Sequence, residues 1–169
     1  EMLDPGENTY SISSSAEFTF SISGNVPPGA VLDQTGPRTA VVDGIPSAAG
    51  VYSYTITAVQ VGNPSVSVSV TDTLHVFGLT NTSLPDAEAG TAYGPEQLVT
   101  AGGTDPVTFT ASGLPAGFTL TSAGVLTSDA TTVDGTSTVT ITFTDADGAV
   151  CTKDLTIVVT CIDWDALSW

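Results

Sequence analysis

The sequence predicts an all-β chain of two tandem antiparallel β-sandwich domains, and three observations predict it. Apolar residues alternate with hydroxyl residues at period 2, turn residues interrupt that alternation roughly every ten positions, and two parts of the chain resemble each other at a spacing of about 85 residues. Composition agrees with the pattern. The polar surface is drawn from Thr, Ser, Gly and Ala, and helix formers never accumulate over a window long enough to nucleate a helix.

The chain opens on EMLDPGENTY, a polar arm without periodicity. The next unit is FSISGNVPPGAVL (20–32), a short strand, a Pro-Pro-Gly turn and a second strand. In VYSYTITAV the residues Tyr52, Tyr54, Ile56 and Ala58 share one face, while Ser53, Thr55 and Thr57 take the other. Val66, Val68 and Val70 alternate with serines, and TLHVFG closes the first half. The second half repeats the series. FTASGLPAGFTL (109–120) matches FSISGNVPPGAVL, GTSTVTITF from Gly135 matches GVYSYTITA from Gly50, and DLTIVVT matches TLHVFG. In the second half Val139, Ile141 and Phe143 form the apolar face. Pro115, Gly117 and Gly124 set turns that let Phe118 and Leu120 point inward and Val125 and Leu126 pack. These matches place a first domain with its arm at 1–78, a second domain at 79–162 and a C-terminal tail at 163–169.

The ordered set Gly90 and Tyr93, Gly102-Gly103 with Pro106, Leu114-Pro115-Ala116-Gly117-Phe118-Thr119-Leu120, Gly124-Val125-Leu126, Gly135 and Asp145-Ala146-Asp147-Gly148 resembles an immunoglobulin-like repeat of the He_PIG type, a relative of the dystroglycan-type cadherin-like domains. The resemblance covers about Leu84 to Thr160. It departs at Ser128-Asp129-Ala130, where the family has a Gly-Thr-Pro turn that the first half keeps as Asp43-Gly44-Ile45-Pro46. The resemblance implies two immunoglobulin-like sandwiches in tandem. The first half lacks the opening strand and its Gly-Gly turn, so that strand is missing, degenerate, or supplied by Ser11 to Phe20 or by another chain.

Charge excludes one class of partner. Two Lys plus Arg stand against 18 Asp plus Glu, a net charge of −16, which repels phosphate backbones and so argues against nucleic acid. A disordered acidic chain would be as negative, but 41% hydrophobic residues supply the apolar area that disorder lacks. No stretch reaches the ~18 to 20 apolar residues of a membrane span, so no membrane contact is expected.

Chemistry is sparse. His75 sits on the solvent or partner side of its strand, and no Gly-x-Ser-x-Gly elbow accompanies it, so no catalytic residue is assigned. Asp145 and Asp147, with Asp134 and Asp105 on neighbouring loops, offer the hard oxygen ligands of a calcium site. The simpler reading of Asp147-Gly148 is a hairpin turn, and no other cofactor is expected. Cys151 and Cys161 bound one strand at roughly 33 Å, against the ~4.4 to 6.8 Å of a disulfide, and their parity with Leu155, Ile157 and Val159 predicts two buried free thiols. Lys153 shares that parity, which points to a snorkelling edge lysine or, alternatively, a Lys-to-Asn or Lys-to-Asp isopeptide crosslink.

Trp164, Leu167 and Trp169 follow the last strand and are expected to contact a partner, either copies of this chain or a capsid, tail or surface protein. The expected function is a noncatalytic structural or interaction module at an extracellular surface or on a virion, such as a phage head decoration or tail protein or a bacterial surface stalk. The alternative is an adhesive or carbohydrate-binding domain of a secreted bacterial protein.

Overall fold

The structure, a computed structural model, describes residues 3–5, 9–129 and 134–161. Every regular element among them is a β-strand, and the chain divides into two compact units, Glu1–Val76 and Phe77–Trp169. Phe77 belongs with the second because its ring meets Phe143 edge-on, with centroids 5.1 Å apart.

The first unit comprises β1 (Leu3–Pro5), β2 (Thr9–Ile12), β3 (Phe18–Gly24), β4 (Val31–Gly36), β5 (Thr39–Asp43), β6 (Gly50–Gln60) and β7 (Ser67–Val76). One sheet runs β1-β2-β5-β4 and the other β3-β6-β7. Period-2 alternation dictates which residues meet between them. Tyr54, Ile56 and Ala58 of β6 are buried against Tyr10 and Ile12 of β2 and Val42 of β5. The opposite face of β6 carries Ser53, Thr55 and Thr57, with Thr55 and Thr57 hydrogen-bonded to Thr71 and Ser69 of β7.

The first unit therefore has strands ahead of β3, and Ser11 to Phe20 divides between β2, a loop and β3. The 28–30 and 44–47 loops cross closely here. A Cβ on Gly44, at φ +108°, would lie 2.2 Å from the Gly29 carbonyl oxygen, so only glycine fits.

The second unit comprises β8 (Gly78–Leu79), β9 (Ala87–Glu88), β10 (Tyr93–Gln97), β11 (Thr100–Ala101), β12 (Thr108–Ser112), β13 (Phe118–Leu120), β14 (Val125–Ser128), β15 (Gly135–Thr144) and β16 (Val150–Thr160). Here β10-β14-β13, with β11-β8, faces the sheet β12-β15-β16-β9. Val139, Ile141 and Phe143 of β15 and Leu155, Ile157 and Val159 of β16 are buried against Leu98, Phe118 and Leu126. Gly124, at φ +82°, turns the chain into β14, and a Cβ there would lie 2.9 Å from the Phe109 ring.

Each unit is built round one long hairpin, β6-β7 in the first and β15-β16 in the second. Gly50 pairs Val76 in the first and Gly135 pairs Val159 in the second. The openings differ. In the second unit β9 lies parallel to the end of β16, with Ala87 opposite Val159, whereas in the first unit β1 turns straight back onto β2 and no described strand takes the place of β9.

Candidate functional site

The densest polar constellation in the second unit is the turn from β15 to β16. Asp145 follows the last residue of β15, and its Oδ1 accepts the backbone N–H groups of Asp147 (3.1 Å) and Ala149 (2.8 Å). Its Oδ2 accepts the N–H of Thr104 (3.2 Å), from the loop between β11 and β12. The Thr104 hydroxyl donates to Asp147 Oδ2 at 2.6 Å, and the Thr104 carbonyl takes the Ala146 N–H at 2.9 Å. The Thr104 N–H, outweighing partial burial, and then the Ala149, Asp147 and Gly148 N–H groups hold the Asp145 carboxyl below the usual carboxylate range. This is the chemistry of a clip between two loops.

The calcium expectation is corrected in one respect. Asp134 precedes Gly135 at the start of β15 and Asp145 follows its end, so a continuous strand holds them about 36 Å apart. Among the described residues no three His, Cys, Asp or Glu side chains gather as metal ligands do. Because the Asp145 pKa is depressed on folding, the clip stabilises above about pH 3.9 and that contribution fades as pH falls through the lower folded value. Asp145→Ala is expected to lower the melting temperature of the second unit at neutral pH and to leave its acid melt flatter than that of the parent, checked by circular dichroism from neutral pH to pH 2.

Cys151, Lys153, Leu155, Ile157 and Val159 lie on the inward face of β16, as parity predicts. Cys151 is half-buried and its thiol donates to the Phe77 carbonyl at 3.8 Å. Cys161 is exposed, contrary to expectation, because β16 stops at Thr160 and parity has no meaning beyond it. Both thiols are free. The Lys153 ammonium donates to the Leu79 carbonyl at 3.3 Å, where a crosslink would have required an Asn or Asp side chain.

His75 lies exposed on β7, opposite Val51. Trp164, Leu167 and Trp169 fall outside the described residues.

Two polar clusters were not legible in the sequence. In the first unit the buried Tyr10 hydroxyl donates to Asp72 Oδ2 (2.9 Å) and lies 3.1 Å from the Tyr54 hydroxyl. Asp72 faces inward on β7, opposite Tyr54. Burial, followed by the bonds to Tyr54 and Asp72, pushes the Tyr10 phenol well above its ordinary range. In the second unit Tyr93 and Ser128 pair across β10 and β14, and both hydroxyl oxygens are buried without a hydrogen-bond partner. Burial, then the Glu96 and Asp86 carboxylates, pushes the Tyr93 phenol up to about 12. Ser128→Ala removes an unpaired buried hydroxyl and is expected to stabilise the second unit by about 1 kcal/mol, measured as a raised urea midpoint at unchanged slope.

Residues 76–160, half of the 169-residue chain, match the model of the He_PIG family, described as "Putative Ig domain". No curated protein matches the chain. Among solved structures, a "putative alpha-galactosidase" from Bacteroides fragilis is 28% identical over 46% of this chain and 17% of its own, with a TM-score of 0.40. Drosophila N-cadherin EC1-3 is 16% identical over 89% of this chain and 57% of its own, with a TM-score of 0.40. Chicken VE-cadherin EC1-2 is 14% identical over 95% and 94%, with a TM-score of 0.35. The chain thus spans well under two thirds of the first two. The matched residues run from the end of β7 to the end of β16 and contain the whole second sandwich. By that match the chain belongs to the He_PIG family of immunoglobulin-like domains.

Proposed function

We propose that this chain is a noncatalytic interaction module of two immunoglobulin-like sandwiches in tandem, displayed on an extracellular surface or a virion. One observation carries the reading: each unit is built round one long hairpin, β6-β7 or β15-β16, that buries an apolar face and carries threonine and serine on the other. A repeated scaffold with inert faces suits spacing and display, since a sandwich owes its function to what is grafted on it.

Within this reading a phage head decoration or tail protein, or a bacterial surface stalk, is the specific role. Trp164, Leu167 and Trp169 are the residues assigned to the capsid, tail or surface partner. The high negative charge keeps arrayed copies soluble and off nucleic acid. Imaging the native assembly tests the role. Copies arrayed on a particle or fibre support it, and a free chain released without any particle or surface sinks it.

The carbohydrate-binding alternative calls for an aromatic platform. The four tyrosines and six phenylalanines are buried or half-buried, and Trp164 and Trp169 fall outside the described residues.

A further inference from the structure

We propose that the free edge of β3 is a self-association site, at which a second copy of this chain adds its own β3 antiparallel about a two-fold axis. The inference deepens the interaction-module reading and rests on it.

β3 is the outermost strand of the sheet β3-β6-β7. Its pairing with β6 sets Thr19 opposite Val59, Ser21 opposite Thr57 and Ser23 opposite Thr55. The Phe18 carbonyl and the Phe20 N–H point the other way, where the Gln34 side-chain amide takes both, at 2.8 and 3.3 Å. By the alternation of an antiparallel strand, the Phe20 carbonyl and both backbone groups of Ile22 point outward beside them. β4 lies close to β3, and the Pro37 carbonyl takes the Phe18 N–H at 2.8 Å, so the start of this edge is occupied; further along, no described strand hydrogen-bonds the Phe20 carbonyl or Ile22. An edge of this kind is a template for another strand.

What is unusual is its lack of defence. Natural edges are guarded by charge, proline or a bulge, yet FTFSISG holds no charged residue and no proline. In a chain of net charge −16 this is a place where two copies can meet without opposing carboxylates. The apolar side also favours a partner, because Phe20 and Ile22 are only half-buried on the rim of the first core.

Self-complementarity fixes the register. With Ile22 on the two-fold axis, the two Ile22 residues exchange N–H···O=C bonds, and the Phe20 carbonyl of each copy accepts the Gly24 N–H of the other. Ser21 of one copy then stands opposite Ser23 of the other. The matching edge in the second unit is the shorter β12, where the Phe109 N–H is already held by the Ser122 carbonyl at 3.0 Å.

The test uses the full chain. Sedimentation over a concentration series is expected to show a monomer passing to a dimer, with amide exchange at Ile22 slowing about tenfold or more as the dimer fills. The double variant Ser21→Glu/Ser23→Glu places carboxylates opposite one another and is expected to weaken the dimer roughly tenfold or more, while an equimolar mixture with Ser21→Lys/Ser23→Lys restores it. A chain that stays monomeric, a dimer that leaves Ile22 exchange unchanged, or a dimer indifferent to the added carboxylates overturns the proposal. Since Ile22 exchange is read on the unaltered chain, the result stands even if a variant fails to fold. A monomeric result would leave the module reading intact, because that reading is decided by imaging the native assembly.

Discussion

Phe143→Ala is expected to destabilise the second unit by about 3–5 kcal/mol, the range for emptying a large aromatic from a packed core. Phe143 is 1% exposed at the middle of the core, edge-on to Phe77 at 5.1 Å and tilted against Phe109 at 6.3 Å. Phe77 comes from the link between β7 and β8 and Phe109 from β12, so the loss reaches beyond β15. No neighbour can collapse cheaply into the hole, because Ile141 and Val139 are fixed by the same ladder. Urea unfolding followed by amide exchange will show the loss at residues of β15 and β16. Protection in β6 and β7 is expected to persist if the two units unfold independently, and a joint loss would refute that independence.

Tyr10→Ala is the second large effect, about 3–5 kcal/mol from the ring alone. Tyr10 is 0% exposed, and its hydroxyl serves both Tyr54 and Asp72. Asp72 keeps only the Thr73 N–H on its other oxygen once Tyr10 is gone. Tyr10→Phe separates the contributions, since it keeps the ring and strips the hydroxyl, at a cost of about 1–3 kcal/mol. The two variants also differ from the parent in alkali. A phenol whose pKa is raised on folding contributes its full stabilisation below the unfolded value of about 10, and loses it as pH rises from there toward the folded value. The parent is therefore expected to weaken above about pH 10 more steeply than Tyr10→Phe, measured by thermal melts of the first unit.

Most of the fold was legible because it is written at short range. The alternation of Val139, Ile141 and Phe143 with threonines predicts their burial, and all three are buried. The parity that turns His75 outward and Lys153 inward also held. What was hidden depends on distance in sequence. Asp72 reads locally as one more polar residue in a hydroxyl-rich strand, and only its meeting with Tyr10, 62 positions away, gives it a buried role. β9 is two residues long, too short to carry a period, and its parallel pairing with Val159 and Thr160 has no local signature. Gln34 carries no signal of its own in the sequence, yet its amide does the work of a peptide group at the β3 edge.

The candidate site was less legible, for a related reason. Three carboxylates can look like one cluster on the page and lie at two ends of a strand. Asp134 and Asp145 bracket β15, and the strand's rise decides against the pair before any side chain is considered. Cys161 failed the other way, since nothing around Thr160 announces that pairing ends there.

The parallel contact of β9 with β16 has a mechanical meaning. The Thr160 carbonyl holds the Ala89 N–H at 2.8 Å, and the Thr160 hydroxyl reaches the Ala87 carbonyl at 3.3 Å. β9 lies early in the second unit and β16 ends it, so tension applied across the unit draws the two strands past each other along their length. Their bonds are loaded together in shear instead of opening one after another. In the first unit β1 folds back antiparallel on β2 and lies close to β7, and no parallel pair of this kind is found among the described residues.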